Sequence, residues 1–110
     1  GWNWAADYGR SDANEAEFKA LYAYSPIHNA KPGTQYPAIL VTTALNDSQV
    51  PYWEAAKYVA KLRPLKTDQN PLLLKIALEP AGHGGASGRY DALRETAFDY
   101  AYLLSELNLK

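Results

Sequence analysis

The sequence predicts an α/β fold built on parallel strands, and three observations predict it. Two short apolar runs rich in Leu, Ile, Val and Thr, Ala38–Ala44 and Leu72–Leu78, read as strands of the nearly continuous kind found in parallel sheets. A helical pattern, Tyr52–Leu62, lies between them at crossover length. A second helical pattern follows the second run, completing an alternation of strand and helix.

The elements follow in order. Asp12 with Glu15 three residues on forms a candidate capping box for a helix over Asp12–Tyr22, with Phe18, Leu21 and Tyr22 on its apolar face. Pro26 is expected to stop anything helical, and Lys31-Pro32-Gly33 reads as a loop. The first strand runs straight into the polar turn Asn46-Asp47-Ser48. Pro51 then opens the second helix, because a missing N–H is harmless in a first turn. Trp53, Ala56, Val59 and Ala60 are expected to share its inner face, with the Tyr52-Trp53 pair in the core, and Arg63-Pro64 ends it. The polar segment from Lys66 to Pro71 reads as a loop. After the second strand comes the glycine-rich turn Pro80–Gly88 and then a helix from about Arg89 to Leu107. Leu93, Ala97, Tyr100, Ala101, Leu104 and Leu107 hold helical spacing there. Two strands leave unpaired edges, so further sheet is expected from more chain or from a partner, with room for self-association along the exposed edge.

Composition narrows the function. The chain has 110 residues, 47% hydrophobic and 21% charged, which fits a folded domain and excludes a disordered one. A net charge of −1 gives no electrostatic reason to expect nucleic acid or an anionic membrane as partner. No apolar run approaches the roughly 20 residues of a membrane span; a soluble protein is expected, and the sequence leaves its compartment, cytoplasm or periplasm, undecided. Cysteine is absent, which removes disulfides, thiolate metal sites and a thiol nucleophile. The two histidines, His28 and His83, show no metal-ligand spacing, and no cofactor is expected.

In open α/β sheets ligands bind beyond the carboxyl ends of the strands. Asp47 sits in the turn after the first strand, and His83 sits 36 residues on, in the turn after the second. Acid then histidine on successive strand ends is the later part of the Ser-Asp-His order of an α/β-hydrolase triad. Asp47 could instead cap the helix that Pro51 opens, and His83 could be an idle turn residue. The glycines lack the lysine and the spacing of a phosphate loop. None of Ser11, Ser25, Ser48, Ser87 and Ser105 stands in Gly-x-Ser-x-Gly, so no serine here reads as the nucleophile.

The motifs Asp7-Tyr8-Gly9, Tyr24-Ser25-Pro26-Ile27-His28-Asn29, Leu45-Asn46-Asp47-Ser48-Gln49-Val50-Pro51-Tyr52-Trp53-Glu54 and Gly82-His83-Gly84-Gly85-Ala86-Ser87-Gly88-Arg89-Tyr90 carry a resemblance. With Tyr36-Pro37-Ala38 and Asn70-Pro71-Leu72 they extend over nearly the whole chain. The chain resembles the C-terminal end of the catalytic domain of prolyl oligopeptidase-family serine peptidases. Residues 4–30 look like the prolyl endopeptidase branch. Residues 36–104 look more like oligopeptidase B, which cleaves after Lys or Arg, so the residue preferred before the cleaved bond stays open. The resemblance implies the C-terminal portion of an α/β-hydrolase fold over residues 1–110, with the nucleophile-bearing part and a β-propeller absent. It implies Asp47 and His83 as acid and base of the triad, short peptides as substrates of the intact enzyme, and the remainder of the catalytic domain as partner. It also implies a substrate-binding arginine two residues after the acid. That position is Gln49, whose neutral amide is a weaker grip on substrate than a charged five-donor fork. The chain alone is expected to be inactive. The alternatives are a fragment of another α/β hydrolase, such as an esterase, and a non-enzymatic, self-associating module.

Overall fold

The computed structural model describes residues 2–80, 82, 83, 85 and 88–109. The chain divides into two compact units, Gly1–Lys31 and Pro32–Lys110. The first unit is helical. A 3-10 turn at Trp2–Trp4 leads into α1, Ala5–Tyr8, followed by α2, Glu15–Tyr24, and α3, Pro26–Asn29.

The start of α2 differs from expectation. Asp12 does not cap it; its carboxylate receives the Arg10 guanidinium at 2.7 and 3.1 Å. The reciprocal cap forms two residues later. Glu17 N–H donates to Asn14 Oδ1 at 2.8 Å, and Asn14 Nδ2 donates to Glu17 Oε1 at 2.9 Å. Asn and Asp are equally good caps, so the arginine that engages Asp12 leaves the role to Asn14. Pro26 ends α2 but does not end helical structure. It becomes the first residue of α3, after an extended Ser25. Asn29 Nδ2 ties the two helices by donating to the carbonyls of Tyr22 and Ser25, each at 2.8 Å. His28 is held locally, its ring 4.7 Å from that of Tyr22 and its Nδ1 2.7 Å from Ser25 Oγ.

The second unit holds the predicted strand–helix–strand–helix order. β1, Ile39–Ala44, pairs in parallel with β2, Leu72–Ala77, from Ile39 opposite Leu72 to Ala44 opposite Ala77. α4, Tyr52–Leu62, connects them and packs against both. α5, Arg89–Glu106, follows β2. Among the described residues no helix is long and apolar enough to cross a membrane.

The elements stand where the sequence places them, but their faces do not. Val59 and Leu62 are the buried residues of α4, at 1% and 0% exposure, with Tyr52, Ala55 and Ala56 half-buried beside them. Trp53 is half exposed and Ala60 is exposed. The inner face follows the helical period through 52, 55, 59 and 62, and Trp53 lies one residue off it. Its ring meets Tyr52 edge-on at 5.5 Å, so that pair is only partly core. The strands are not covered on both sides within this chain, since Thr42 and Leu73 are exposed. On α5 the expected apolar stripe of Leu93, Tyr100, Leu104 and Leu107 is exposed. Glu95 and Tyr102 are the half-buried residues instead, and the Lys75 ammonium of β2 lies 4.0 Å from the centre of the Phe98 ring of α5.

The segment read as a plain loop is a knot of polar contacts at the amino end of the strands. Asp68 accepts N–H bonds from Tyr36 at 2.7 Å and Asn70 at 2.9 Å. Lys66 Nζ lies 2.6 Å from Asp68 Oδ1 and donates to the carbonyls of Asp68 and Asn70. Both charged side chains are almost buried. The lysine first, then the N–H groups of Tyr36 and Asn70, lower the Asp68 carboxyl to about 2.

Candidate active site

The site begins where β1 ends. Asp47 N–H donates to Ala44 O at 3.1 Å, closing a tight turn directly after the strand. Asp47 Oδ1 then accepts the N–H groups of Gln49 and Val50, each at 2.9 Å. An aspartate that bonds its own chain two and three residues on makes a rigid turn and fixes its own rotamer. One oxygen is thereby satisfied, and Oδ2 is left for a partner from another strand end.

That partner is His83. Its Nδ1 lies 2.9 Å from Asp47 Oδ2. An ionised carboxylate only accepts, so the ring donates from Nδ1 and its Nε2 remains as an acceptor. The Asp47 side chain is 8% exposed and that of His83 46% exposed. Asp47 is held below the usual carboxylate range, first by the Val50 N–H, against the opposing effect of its burial, with His83 and the Gln49 N–H adding to it. An ionised, oriented carboxylate behind a half-exposed imidazole fixes the tautomer and stabilises the imidazolium that forms when Nε2 takes a proton.

Beside the pair opens a cavity of about 430 Å³, lined by Thr42, Ala44, Lys75, Glu95 and Asp99 along with Asp47 and His83. The structure therefore brings together the two residues singled out from the sequence. Asp47 is not the cap of α4, where Pro51 holds the cap position with no side-chain bond. Gln49 takes part through its backbone N–H, and its side chain is on an exposed residue. Of the glycine-rich turn, Ala81, Gly84, Ala86 and Ser87 lie outside the described residues. Sequence reasoning missed Glu95 and Asp99, two carboxylates four residues apart on the side of α5 away from the leucines, which no motif marks.

Comparison with known proteins points to one family. A family model described as the prolyl oligopeptidase family matches residues 1–110. Dipeptidyl aminopeptidase BI of Pseudoxanthomonas mexicana is 47% identical over 89 residues, which are 81% of this chain and 12% of that protein. Prolyl endopeptidase of Elizabethkingia miricola is 34% identical over 110 residues, all of this chain and 16% of that one. The solved structure of oligopeptidase B from Leishmania major superposes with a TM-score of 0.86 at 38% identity, covering 96% of this chain and 14% of that one. The fold class is thus the α/β-hydrolase one expected, and the chain spans about an eighth to a sixth of the length of these relatives.

Proposed function

The chain belongs to the prolyl oligopeptidase family, and from that premise we propose that it supplies the acid and the base of a serine peptidase that hydrolyses short peptides. The observation that carries this reading is the 2.9 Å bond between His83 Nδ1 and Asp47 Oδ2 across two strand ends. In the proposed reaction His83 Nε2 takes the proton of a serine hydroxyl as its oxygen attacks the peptide carbonyl. The imidazolium then gives that proton to the leaving amine, and water, activated by the same nitrogen, releases the acyl group. Asp47 orients the ring and balances its charge. The serine comes from sequence beyond residues 1–110, where the remainder of the catalytic domain and a propeller belong in this reading. In this reading Gln49 stands where a substrate-binding arginine is expected, and its neutral amide grips the substrate more weakly than a charged fork.

A chimera tests it. Residues 1–110 replace the matching segment of dipeptidyl aminopeptidase BI, and hydrolysis of a peptidyl arylamide is followed. The chimera is expected to be active, with Asp47→Asn and His83→Ala each lowering kcat roughly 10⁴-fold. The isolated chain is expected to show no turnover. Activity that survives His83→Ala in a folded chimera, or turnover by the isolated chain that Ser25→Ala abolishes, would sink the proposal.

The exposed α5 stripe and the open strand edges favour one further reading, self-association of the chain through these apolar surfaces. Sedimentation at several concentrations separates the two, since a strict monomer counts against association.

A further inference from the structure

We propose that Glu95 is a positioning residue for His83, a strut on α5 against which the turn carrying the imidazole rests. The proposal builds on the reading of Asp47 and His83 as an acid–base pair. His83 lies between two glycines that are tied to each other. Gly82 and Gly85 form a small antiparallel bridge, with Gly85 N–H donating to Gly82 O at 3.0 Å. Whatever holds Gly85 therefore holds the base of the His83 turn.

What meets Gly85 is Glu95. Gly85 has φ +80°, a conformation that favours glycine. The place a Cβ would take is filled by the Glu95 carboxylate, whose Cδ and Oε1 lie 3.3 and 3.5 Å from that point and whose Oε2 lies closer still. The missing side chain is thus the space the carboxylate occupies. Glu95 is half-buried, while its α5 neighbours from 89 to 94 and from 96 to 101 are exposed. Half-burial on an otherwise exposed stretch of helix marks a side chain laid against the turn rather than into solvent. Three residues on, the Phe98 ring meets the Lys75 ammonium of β2. A continuous path then runs from β2 through Lys75 and Phe98 to Glu95, Gly85, Gly82 and His83. It returns the histidine to the strand that precedes it.

The test reads the imidazole of the 110-residue chain by ¹⁵N-detected proton NMR. The wild-type ring is expected to carry its proton on Nδ1. In Glu95→Ala the Nδ1–H form is expected to give way to a mixture with the Nε2–H form, with roughly tenfold faster exchange of the Nδ1 proton as the turn opens. Glu95→Gln, which keeps the shape of the strut, is expected to retain the wild-type signature. Gly85→Ala, which drives a methyl into the carboxylate, is expected to release the ring with Glu95 intact. Circular dichroism checks that each variant stays folded, and a tautomer shift within an intact fold is the result a merely structural glutamate would not give. If Asp47→Asn changes the ring and Glu95→Ala does not, the strut is wrong and the pair stands. If Asp47→Asn also leaves the ring unchanged, the pair and the strut both fall. A wild-type spectrum from folded Gly85→Ala likewise overturns the strut.

Discussion

Asp47 and Asp68 stand at opposite ends of the same two strands, and each binds two backbone N–H groups, Gln49 and Val50 in one case and Tyr36 and Asn70 in the other. Each side chain is 8% exposed, and each faces a basic group. The partners differ. Lys66 comes from two residues away, is 11% exposed, and directs its ammonium at one carboxylate oxygen and two carbonyls. Its three donors match these three acceptors. His83 comes from 36 residues away, is 46% exposed, and among the described residues its Nε2 has no hydrogen-bond partner. The amino end of the sheet is a closed circuit, and the carboxyl end is the same anchored carboxylate with one valence still available. That open valence, rather than the carboxylate itself, separates a candidate for chemistry from a structural knot.

The largest expected effect strikes the closed end. Leu62 is completely buried, and its carbonyl receives the N–H groups of Leu65 and Lys66 at 3.0 Å each, which ties it to the chain that carries Lys66 into the Asp68 knot. Leu62→Ala is expected to cost about 2–5 kcal/mol in urea denaturation, from lost transfer energy and the cavity left behind. A cost below about 1 kcal/mol would mean that the site can relax around the hole and that the amino end is not the rigid end.

The next effect tests the two aspartates directly. Asp68→Asn leaves the Lys66 ammonium nearly buried without its counter-charge, whereas Asp47→Asn faces a half-exposed imidazole that water can reach. Asp68→Asn is therefore expected to lower the melting temperature by more than Asp47→Asn at pH 7. Acid sharpens the contrast. The Asp68 carboxyl is at about 2 in the folded chain, below its unfolded value of about 3.9. A lowered folded value stabilises the fold fully above pH ~4, and that stabilisation fades as the pH falls toward 2. Asp47, also lowered, contributes in the same direction. Melting curves at pH 7 and pH 3 should show the wild type losing stability that Asp68→Asn has already lost. Equal behaviour of the two asparagine variants would erase the distinction between the ends.

Much of this arrangement is legible in the sequence, and the boundary of what is legible has a physical origin. α4 is bounded by Pro51 on one side and Arg63-Pro64 on the other, and it forms over the predicted residues because punctuation of that kind is local. The two strands likewise end within a residue or two of prediction. Asp47 and His83 are legible because strand ends in a parallel sheet gather side chains in a fixed place. The faces of α4 and α5 are not, because facing is decided by what lies across from a helix. Trp53 is the largest apolar residue of α4 and still points away, and the leucines of α5 yield the inner side to Glu95 and Tyr102. The Asp68 knot escapes for another reason. Asp68-Gln69-Asn70-Pro71 has the chemistry of any turn, and the residue that gives it meaning, Tyr36, is 32 positions away.

The smallest expected effect is the most discriminating. His83→Ala removes a half-exposed side chain whose hydrogen bond to Asp47 is the third that the carboxylate accepts, after the N–H groups of Gln49 and Val50. The turn keeps its two internal bonds, and Oδ2 is left facing the space the ring vacates, where water can reach it. The change in stability is expected to be about 1 kcal/mol, the net worth of one hydrogen bond that water can replace at the acceptor. The same substitution removes the one ring nitrogen left free to carry a proton. A residue that contributes little to the fold, yet is anchored through a carboxylate and aimed by a turn, is the one expected of the proposed acid–base pair. If denaturation of His83→Ala instead shows a loss as large as that of Asp68→Asn, the imidazole is a second Lys66. The carboxyl end of the sheet would then be as closed as the amino end.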